Sequence, residues 1–429
     1  MIPTMARTDY CPALHRFAVV TAVATFLLLG IGGLVTSHGA GMAVPDWPTS
    51  YGYNMFALPI KFWKGGVFYE HTHRLWASLV GVLVVALTRW LGGRAARKPL
   101  AIVGSAETVA GFVLLKLFPR LAGAGYFLTG IGGVVLLAAL VWGRNEPAAR
   151  PLPLLGWLAF GSVQFQGLLG GLRVVLFEDQ IGIFHATLAQ LFFALLCVIA
   201  LLTSRAWLNW TQAAASPDPA SGDHNDPALR SGFIVVTGLI LLQLILGATM
   251  RHQHAGLAIP DFPLAYGRLW PATDARSIAH YNEQRIEITA ANPITAFQVE
   301  LQMVHRLIAV LILAGVGFCA VKTWRCKGAV ASGGAALRTR GLKRLSAFWL
   351  GLIGVQVGLG ALTILTNKAA DVATAHVLTG ALSLAVGVMM CIISPQPRAL
   401  VNRSAVVAER GAAGAGTHSG AAGGAAARI

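Results

Sequence analysis

Ten stretches of this chain are apolar and long enough to cross a lipid bilayer as helices, which takes about 20 residues each. The composition agrees, because 55% of the 429 residues are hydrophobic, only 12% are charged, and the mean hydropathy is +0.65. The sequence therefore predicts an all-α polytopic membrane protein. The stretches lie at residues 17–35, 75–91, 101–118, 121–142, 154–176, 181–202, 233–250, 303–321, 345–365 and 372–393.

The third and fourth stretches stand apart from the others. Glu107 and Lys116 interrupt the third, which leaves a re-entrant or interfacial segment open as an alternative to a span. If the two together form a hairpin, every other helix keeps its orientation. We therefore interpret residues 101–142 as an apolar hairpin inserted into an eight-helix plan.

The basic residues predict the orientation of the chain in its membrane. The net charge is +16, which in a soluble protein would suggest a nucleic-acid partner. In a membrane protein it predicts Lys- and Arg-rich cytoplasmic loops instead. If both termini are cytoplasmic, most basic residues fall inside, with a dense group at 322–344. The five cysteines have no metal-type spacing, so we expect neither a disulfide framework nor a zinc site.

The same motifs recur in the same order in the two halves of the chain. Residues 41–52 align without gaps to 256–267 and share the pattern Gly-x-Ala-x-Pro-Asp-aromatic-Pro. We therefore predict two pseudo-symmetric four-helix bundles that are joined by a cytoplasmic linker and followed by a disordered Gly- and Ala-rich tail. The predicted units are 1–203, which includes the inserted hairpin, the linker at 204–230, the second bundle at 231–394, and the tail at 395–429.

Four histidines recur at matching places in these halves: His73, His185, His305 and His376. Each lies a few residues into an inward-running helix, one to two turns below the outer surface at about 1.5 Å per residue. A lone histidine there is more often a packing residue, but four at one level favour a shared role. Two inward-facing histidines on neighbouring helices suit axial ligation of a haem iron. The other eight histidines lie in loops, tails or helix edges, and we expect them to be solvated.

Glu70 distinguishes the two halves. It lies three residues before His73, on the same helix face, where the second half has Gln302. This difference favours chemistry at the first histidine pair, with Glu70 as the catalytic group, and a resident cofactor at the second pair. An alternative for Glu70 is a structural ion pair with Arg74. Two other functions also stay open: a b-type di-haem electron-transfer protein, and a repeat-built transporter with histidine proton carriers.

Taken together, these motifs resemble the haem A synthase family, the membrane enzymes of cytochrome oxidase biogenesis. The resemblance covers residues 17–393 except the insertion. Its specific parts are Glu70-x-x-His73-Arg74, Phe184-His185-Ala186 with Gln190, Val304-His305-Arg306, Ala375-His376 and the two Pro-Asp-aromatic-Pro loops.

The resemblance implies that haem O binds between His73 and His185. It implies that the C8 methyl group of haem O is oxidised to the formyl group of haem A by successive hydroxylations that require Glu70. It also implies a resident haem b with His305 and His376 as axial iron ligands. The expected location is the inner membrane, with haem O synthase and cytochrome oxidase assembly factors as partners. A homo-oligomer is compatible with the resemblance, and the electron donor is not identified.

Two positions depart from the family pattern. Thr36 stands where family members often carry arginine, whereas the second half keeps Arg251. A contact with a haem propionate in the first half would therefore come from Arg74 or Arg173. The cysteine pair that some members carry in the first outer loop is absent, which excludes thiol-based electron delivery at that place.

Overall fold

A computed structural model describes residues 10–141, 152–215, 226–284, 293–325 and 334–394. The regular elements in these residues are helices, apart from two isolated bridges in loops. The α-helices are α1 (Pro12–Ser37), α2 (Gly66–Gly92), α3 (Arg97–Leu117), α4 (Ala122–Val141), α5 (Leu152–Leu176), α6 (Asp179–Leu202), α7 (Arg205–Ala215), α8 (Pro227–His252), α9 (Ala275–Glu283), α10 (Ala296–Arg325), α11 (Gly334–Leu365) and α12 (Ala370–Ile393).

Every predicted apolar stretch falls on one of these helices, apart from Phe118 and Leu121 at the ends of two stretches. Trp142 lies outside the described residues. Within the described part of the chain, 9 stretches are long and apolar enough to span a membrane, and one of them, Gly66–Leu117, contains two predicted runs. The prediction of an all-α polytopic membrane protein is therefore confirmed. The predicted tail, 395–429, lies outside the described residues.

Two short helices were not predicted from the sequence. α7 occupies the first part of the predicted linker, where Trp207 and Leu208 are buried. The loop between α1 and α2 and the loop between α8 and α10 are called the first and second outer loops, after their predicted orientation. α9 lies in the second outer loop and is capped by Asp274, whose side chain accepts from the amides of Arg276 and Ser277. Both helices have fewer than 12 residues, so a search for apolar runs of spanning length passes over them.

The spanning helices of each half pack in a closed ring. In the first half α1 contacts α2, α2 contacts α5, α5 contacts α6, and α6 returns to α1. In the second half α8, α10, α11 and α12 close in the same way. Each ring has a core, with Leu87 and Ile199 buried in the first and Phe233 and Trp349 in the second. Ile393 of α12 also joins the first core. This is the helix order expected of two bundles, while the symmetry relating them stays a prediction.

The two rings meet along α1 and α6 on one side and α8 and α12 on the other. Small side chains lie in this contact, among them Ala194 on α6 and Ala381 on α12. Small residues let helices approach closely where no hydrophobic effect drives their association. Arg251 also crosses the boundary, because its guanidinium donates to the carbonyl of Gly33 on α1 at 2.6 Å.

The predicted insertion is a helical hairpin. α3 is an uninterrupted helix of 21 residues, which at about 1.5 Å per residue is about 31 Å long. This length is sufficient for a membrane span, and the interfacial alternative stays open for this segment. The charge at Glu107 is accommodated because Gln164 on α5 donates to its carboxylate at 2.7 Å. A buried apolar cluster with Val85 and Phe160 attaches the hairpin to the first bundle.

Candidate functional site

The four predicted histidines lie at matching positions in the two rings, on α2 and α6 of the first half and on α10 and α12 of the second. Each is about two turns from the N-terminus of its helix. A glycine on a neighbouring helix faces each imidazole, so close that an added Cβ would touch Cε1 of the ring. The pairs are Gly32 with His73 (3.1 Å), Gly170 with His185 (3.4 Å), Gly247 with His305 (3.4 Å) and Gly360 with His376 (3.2 Å).

The first pair of histidines has the spacing of two ligands to one metal ion. The ring centres of His73 and His185 are 6.5 Å apart, with an angle of 72° between the ring planes. A metal–imidazole bond is about 2.0 Å, and a ring centre lies about 1.1 Å behind its nitrogen, so two axial imidazoles have centres about 6 Å apart. The observed separation fits that arrangement.

One ring nitrogen of each of the four histidines has no partner in the protein, although Nε2 of His376 lies 3.5 Å from Gln356 Nε2. Nδ1 is buried without a hydrogen-bond partner in each of these rings. No three His, Cys, Asp or Glu side chains converge to hold a bare metal ion anywhere in the residues that the structure describes. Paired imidazoles with no further protein ligand fit an iron whose other positions are filled by a porphyrin.

Glutamine side chains fix the backbone beside one histidine of each pair. Gln166 on α5 donates to the carbonyl of His185 at 3.0 Å. Gln243 on α8 donates to the carbonyl of His305 at 2.9 Å. Neither glutamine was singled out from the sequence, because an isolated amide in an apolar run has no partner that spacing alone would identify.

Glu70 lies at the top of the first pair and is 4% exposed. One carboxylate oxygen accepts from the amide of Val44 at 2.8 Å, and the other from the Arg74 guanidinium at 2.6 Å. Gln302 makes the corresponding contact in the second half, where its Oε1 accepts from the amide of Ile259 at 2.8 Å. Both side chains thus hold an outer loop against the head of a helix.

Arg74 is committed to that loop as well. Its guanidinium donates to the carbonyls of Asp46 at 2.7 Å, Thr49 at 2.9 Å and Val44 at 3.1 Å, besides Glu70. Of the two arginines expected to meet a propionate, Arg74 therefore has its donors directed at protein oxygens.

Arg173, the other candidate, approaches the first outer loop from α5. An added Cβ on Gly41 would lie 2.8 Å from its Nη1. In the second half the arginine that matches Arg74 behaves in the same way, since Arg306 donates to the carbonyls of Asp261 at 2.8 Å and Leu264 at 2.9 Å.

The two Pro-Asp-aromatic-Pro loops share their internal contacts. The Asp46 carboxylate accepts from the amides of Tyr51 at 2.6 Å and Gly52 at 2.8 Å, and Asp261 does the same in the second loop. Burial alone would raise the pKa of Asp46, but hydrogen bonds from Thr49, Gly52 and Tyr51 outweigh it and hold that pKa below its ordinary value. Each aspartate thus fixes the conformation of its own loop by accepting from two turn amides.

His71 differs from its prediction. It was expected to be solvated, but it is fully buried, with Nδ1 3.4 Å from Ser50 Oγ and its ring 4.8 Å from Trp63. The tertiary structure buries this side chain, because the first outer loop folds back over the first turns of α2. Two more of these histidines, His15 and His252, are also half-buried, whereas His38 is exposed as expected. His224 and His418 lie outside the described residues.

Comparison with known proteins connects this geometry to a family. A family model described as cytochrome oxidase assembly protein, COX15-CtaA, matches residues 120–388, more than half of the chain. The Heme A synthase of Rhodospirillum centenum is 27% identical over 330 residues, which are 76% of this chain and 68% of that protein. The chain belongs to the haem A synthase family of cytochrome oxidase assembly proteins.

Other members of the haem A synthase family are similar to this chain over different shares of their length. The Heme A synthase of Rhizorhabdus wittichii is 27% identical over 354 residues, 72% of this chain and 90% of that protein. That of Shouchella clausii is 30% identical over 152 residues, and the match spans 46% of its length. The family model covers His185, His305 and His376 but begins after Glu70 and His73.

Proposed function

We propose that this protein is a haem A synthase that oxidises the C8 methyl group of haem O to the formyl group of haem A. The observation that carries the proposal is the first histidine pair, His73 and His185, whose ring centres are 6.5 Å apart in the bundle. Their spacing and their unpartnered Nδ1 atoms suit a substrate haem held through its iron. Membership of the family supports the same assignment.

The second pair, His305 and His376, would hold a resident haem b. Both rings rest on glycines and have buried, unpartnered Nδ1 atoms, as the first pair does. A bound haem b supplies one-electron transfer. The protein's own contribution is to orient the two imidazoles, through the Gln243 contact and the glycine faces of α8 and α11.

Glu70 is the proposed catalytic residue of the first site. Its carboxylate lies one helical turn before His73 and is buried, so its negative charge is poorly screened by water. A fixed negative charge there would stabilise positive charge that develops at the methyl carbon, or would orient the water that adds to it. Arg74 and the Val44 amide hold the carboxylate in place.

We further infer a location in the inner membrane with both termini cytoplasmic, as the distribution of basic residues favours. Haem O synthase and cytochrome oxidase assembly factors are the proposed partners, and a homo-oligomer is compatible with the proposal. The electron donor is not identified by any feature described above.

A second candidate function is di-haem electron transfer without substrate chemistry. It is favoured by one observation, namely that Glu70 and Gln302 make the same contact to a loop amide. Glu70 therefore has a structural role that would account for its presence without catalysis.

The deciding experiment is haem extraction and chromatography after co-expression with a source of haem O. A haem A synthase yields haem A that is absent from cells lacking the protein. A protein that purifies with two haems b and yields no haem A would be the electron carrier. A colourless purified protein would contradict both proposals and favour a transporter.

A further inference from the structure

The inserted hairpin of α3 and α4 is attached to the bundle that carries Glu70, but no role for it follows from the proposed reaction. Its two helices pack along each other, with Gly111 and Gly132 lying against Thr129 and Thr108 of the opposite helix. The hairpin contains no histidine pair and does not form a closed ring of helices. Its position relative to the first outer loop is therefore the feature to explain.

The outer end of the hairpin touches the first outer loop at Trp47. The Trp47 and Phe127 ring centres are 5.1 Å apart. The Trp47 carbonyl lies so close to α4 that a Cβ on Gly123 would be 2.5 Å from its oxygen. The loop thus rests on the hairpin through both a side chain and the backbone.

Glycines on α5 make room for the aromatic rings of Trp47 and Phe127. A Cβ on Gly171 would lie 2.3 Å from the Trp47 ring, and one on Gly167 would lie 2.9 Å from the Phe127 ring. Gly170, between them, faces His185. Three glycines within five residues of α5 therefore accommodate the loop, the hairpin and the histidine.

The second half keeps only one of these glycines. The alignment of residues 169–172 with 359–362 pairs Gly170 with Gly360, which faces His376, but pairs Gly167 with Val357 and Gly171 with Ala361. The ring that matches Trp47 there is Phe262, which is 39% exposed and lies under the Arg306 guanidinium at 5.6 Å.

The glycine common to both halves is therefore the one that a histidine needs. The two glycines found only in the first half are those that contact Phe127 of the hairpin and Trp47 of the loop.

We propose that the hairpin holds the first outer loop over the His73–His185 pair, with Phe127 as a positioning residue that fixes Trp47 against α5. The proposal rests on the proposed function in one respect, that the first pair receives the substrate haem. Phe127 does not touch the iron ligands, and it acts through Trp47. The hairpin thereby sets the shape of the mouth of one site and leaves the other unaffected.

The test is Phe127→Ala in the full-length protein, with Tyr126→Ala as the matched control, since Tyr126 is the adjacent ring and is 57% exposed. Hydrogen exchange is measured at the Tyr51 and Gly52 amides, which are bonded to Asp46. We expect exchange there to rise roughly three- to tenfold in Phe127→Ala, the range for loss of an aromatic pair. The Tyr266 and Gly267 amides of the second loop should be unchanged.

Haem O affinity, titrated by absorbance, should fall in the same variant by roughly three- to tenfold, while haem b content stays at the wild-type level. Equal behaviour of Phe127→Ala and Tyr126→Ala in both measurements would overturn the proposal. So would a parallel rise of exchange in the two loops, because that indicates general loosening. A wild-type protein that binds no haem O would instead contradict the proposed function, and the exchange measurement would still decide the role of Phe127.

A double variant tests independently whether Trp47 packs against Gly171 on α5. Gly171→Ala places a Cβ against the Trp47 ring and should reproduce the faster exchange at Tyr51 and Gly52. Combining it with Trp47→Phe recreates the pair that the second half has in Phe262 and Ala361, and should restore slow exchange. A double variant that exchanges as fast as Gly171→Ala alone would contradict the seating of Trp47.

Discussion

At the scale of single residues, Glu70 has a structural contact and a proposed catalytic role, and comparison with Gln302 distinguishes the two. Both side chains accept from a loop amide at 2.8 Å, so a neutral amide is sufficient to hold a loop of this kind. Arg306 holds its loop without any carboxylate at position 302. The negative charge of Glu70, which forms an ion pair with Arg74 at 2.6 Å, is therefore not required for the contact with the loop amide.

Glu70→Gln is expected to fold and to retain haem b, yet to form little or no haem A. Gln can accept from the Val44 amide as Gln302 does from Ile259, and Arg74 keeps its three loop carbonyls. Loss of one preorganised charge in a transition state costs on the order of a hundredfold or more in rate. Haem chromatography of co-expressing cells measures the conversion.

Gln302→Glu is the matched control for this change, because it adds a carboxylate at the corresponding place in the other half. Conversion of haem O should be close to wild type in that variant. Near-normal haem A from Glu70→Gln would return Glu70 to a purely structural role and would favour the electron carrier.

His305→Ala and His376→Ala should each deplete haem b, since either change removes one of two axial ligands. The reduced-minus-oxidised spectrum of the purified protein measures the loss. His280→Ala serves as the control because His280 is exposed on α9. If both ligand variants keep an unchanged low-spin spectrum, the second pair does not bind haem b.

At the scale of elements, apolar length predicted the spanning helices, and order along the chain predicted which histidines match. The sequence did not predict that Gly32, Gly170, Gly247 and Gly360 contact the four imidazoles. A glycine in an apolar run carries no signal for what lies opposite it, because that partner is on another helix. The burial of His71 was missed for the same reason.

Gly32→Ala should weaken binding at the first site. The new Cβ would lie 3.1 Å from His73 Cε1, closer than an ordinary contact, so the imidazole must move away. Overpacking of this kind typically costs about 1–3 kcal/mol, which corresponds to a loss of roughly five- to 150-fold in haem O affinity. Gly30→Ala on the same helix is the control, because its Cβ would meet Leu378 at 3.4 Å, an ordinary contact. Equal affinities in the two variants would show that the glycine face is not needed.

At the scale of the whole molecule, the orientation of the helices decides which compartment each site faces. Residues 204–230 and 322–344 should be cytoplasmic, and residues 39–68 and 253–297 should face outward, because Lys and Arg are concentrated in the former group. Reporter fusions after residues 215 and 284 measure this directly. An outward reporter at residue 215 would reverse the topology and place both histidine pairs near the cytoplasmic face.

The two separate helix rings have a consequence for assembly. Because Leu87 and Ile199 belong to one core and Phe233 and Trp349 to the other, a chain divided between α7 and α8 would leave both cores nearly complete, with Ile393 of α12 joining the first core from the other fragment. Each fragment could insert on its own, and the two could then find each other in the bilayer through their alanine faces and the contact of Arg251 with Gly33. Two co-expressed fragments should therefore purify together as one pigmented complex. The covalent link between the two halves would then not be required for folding.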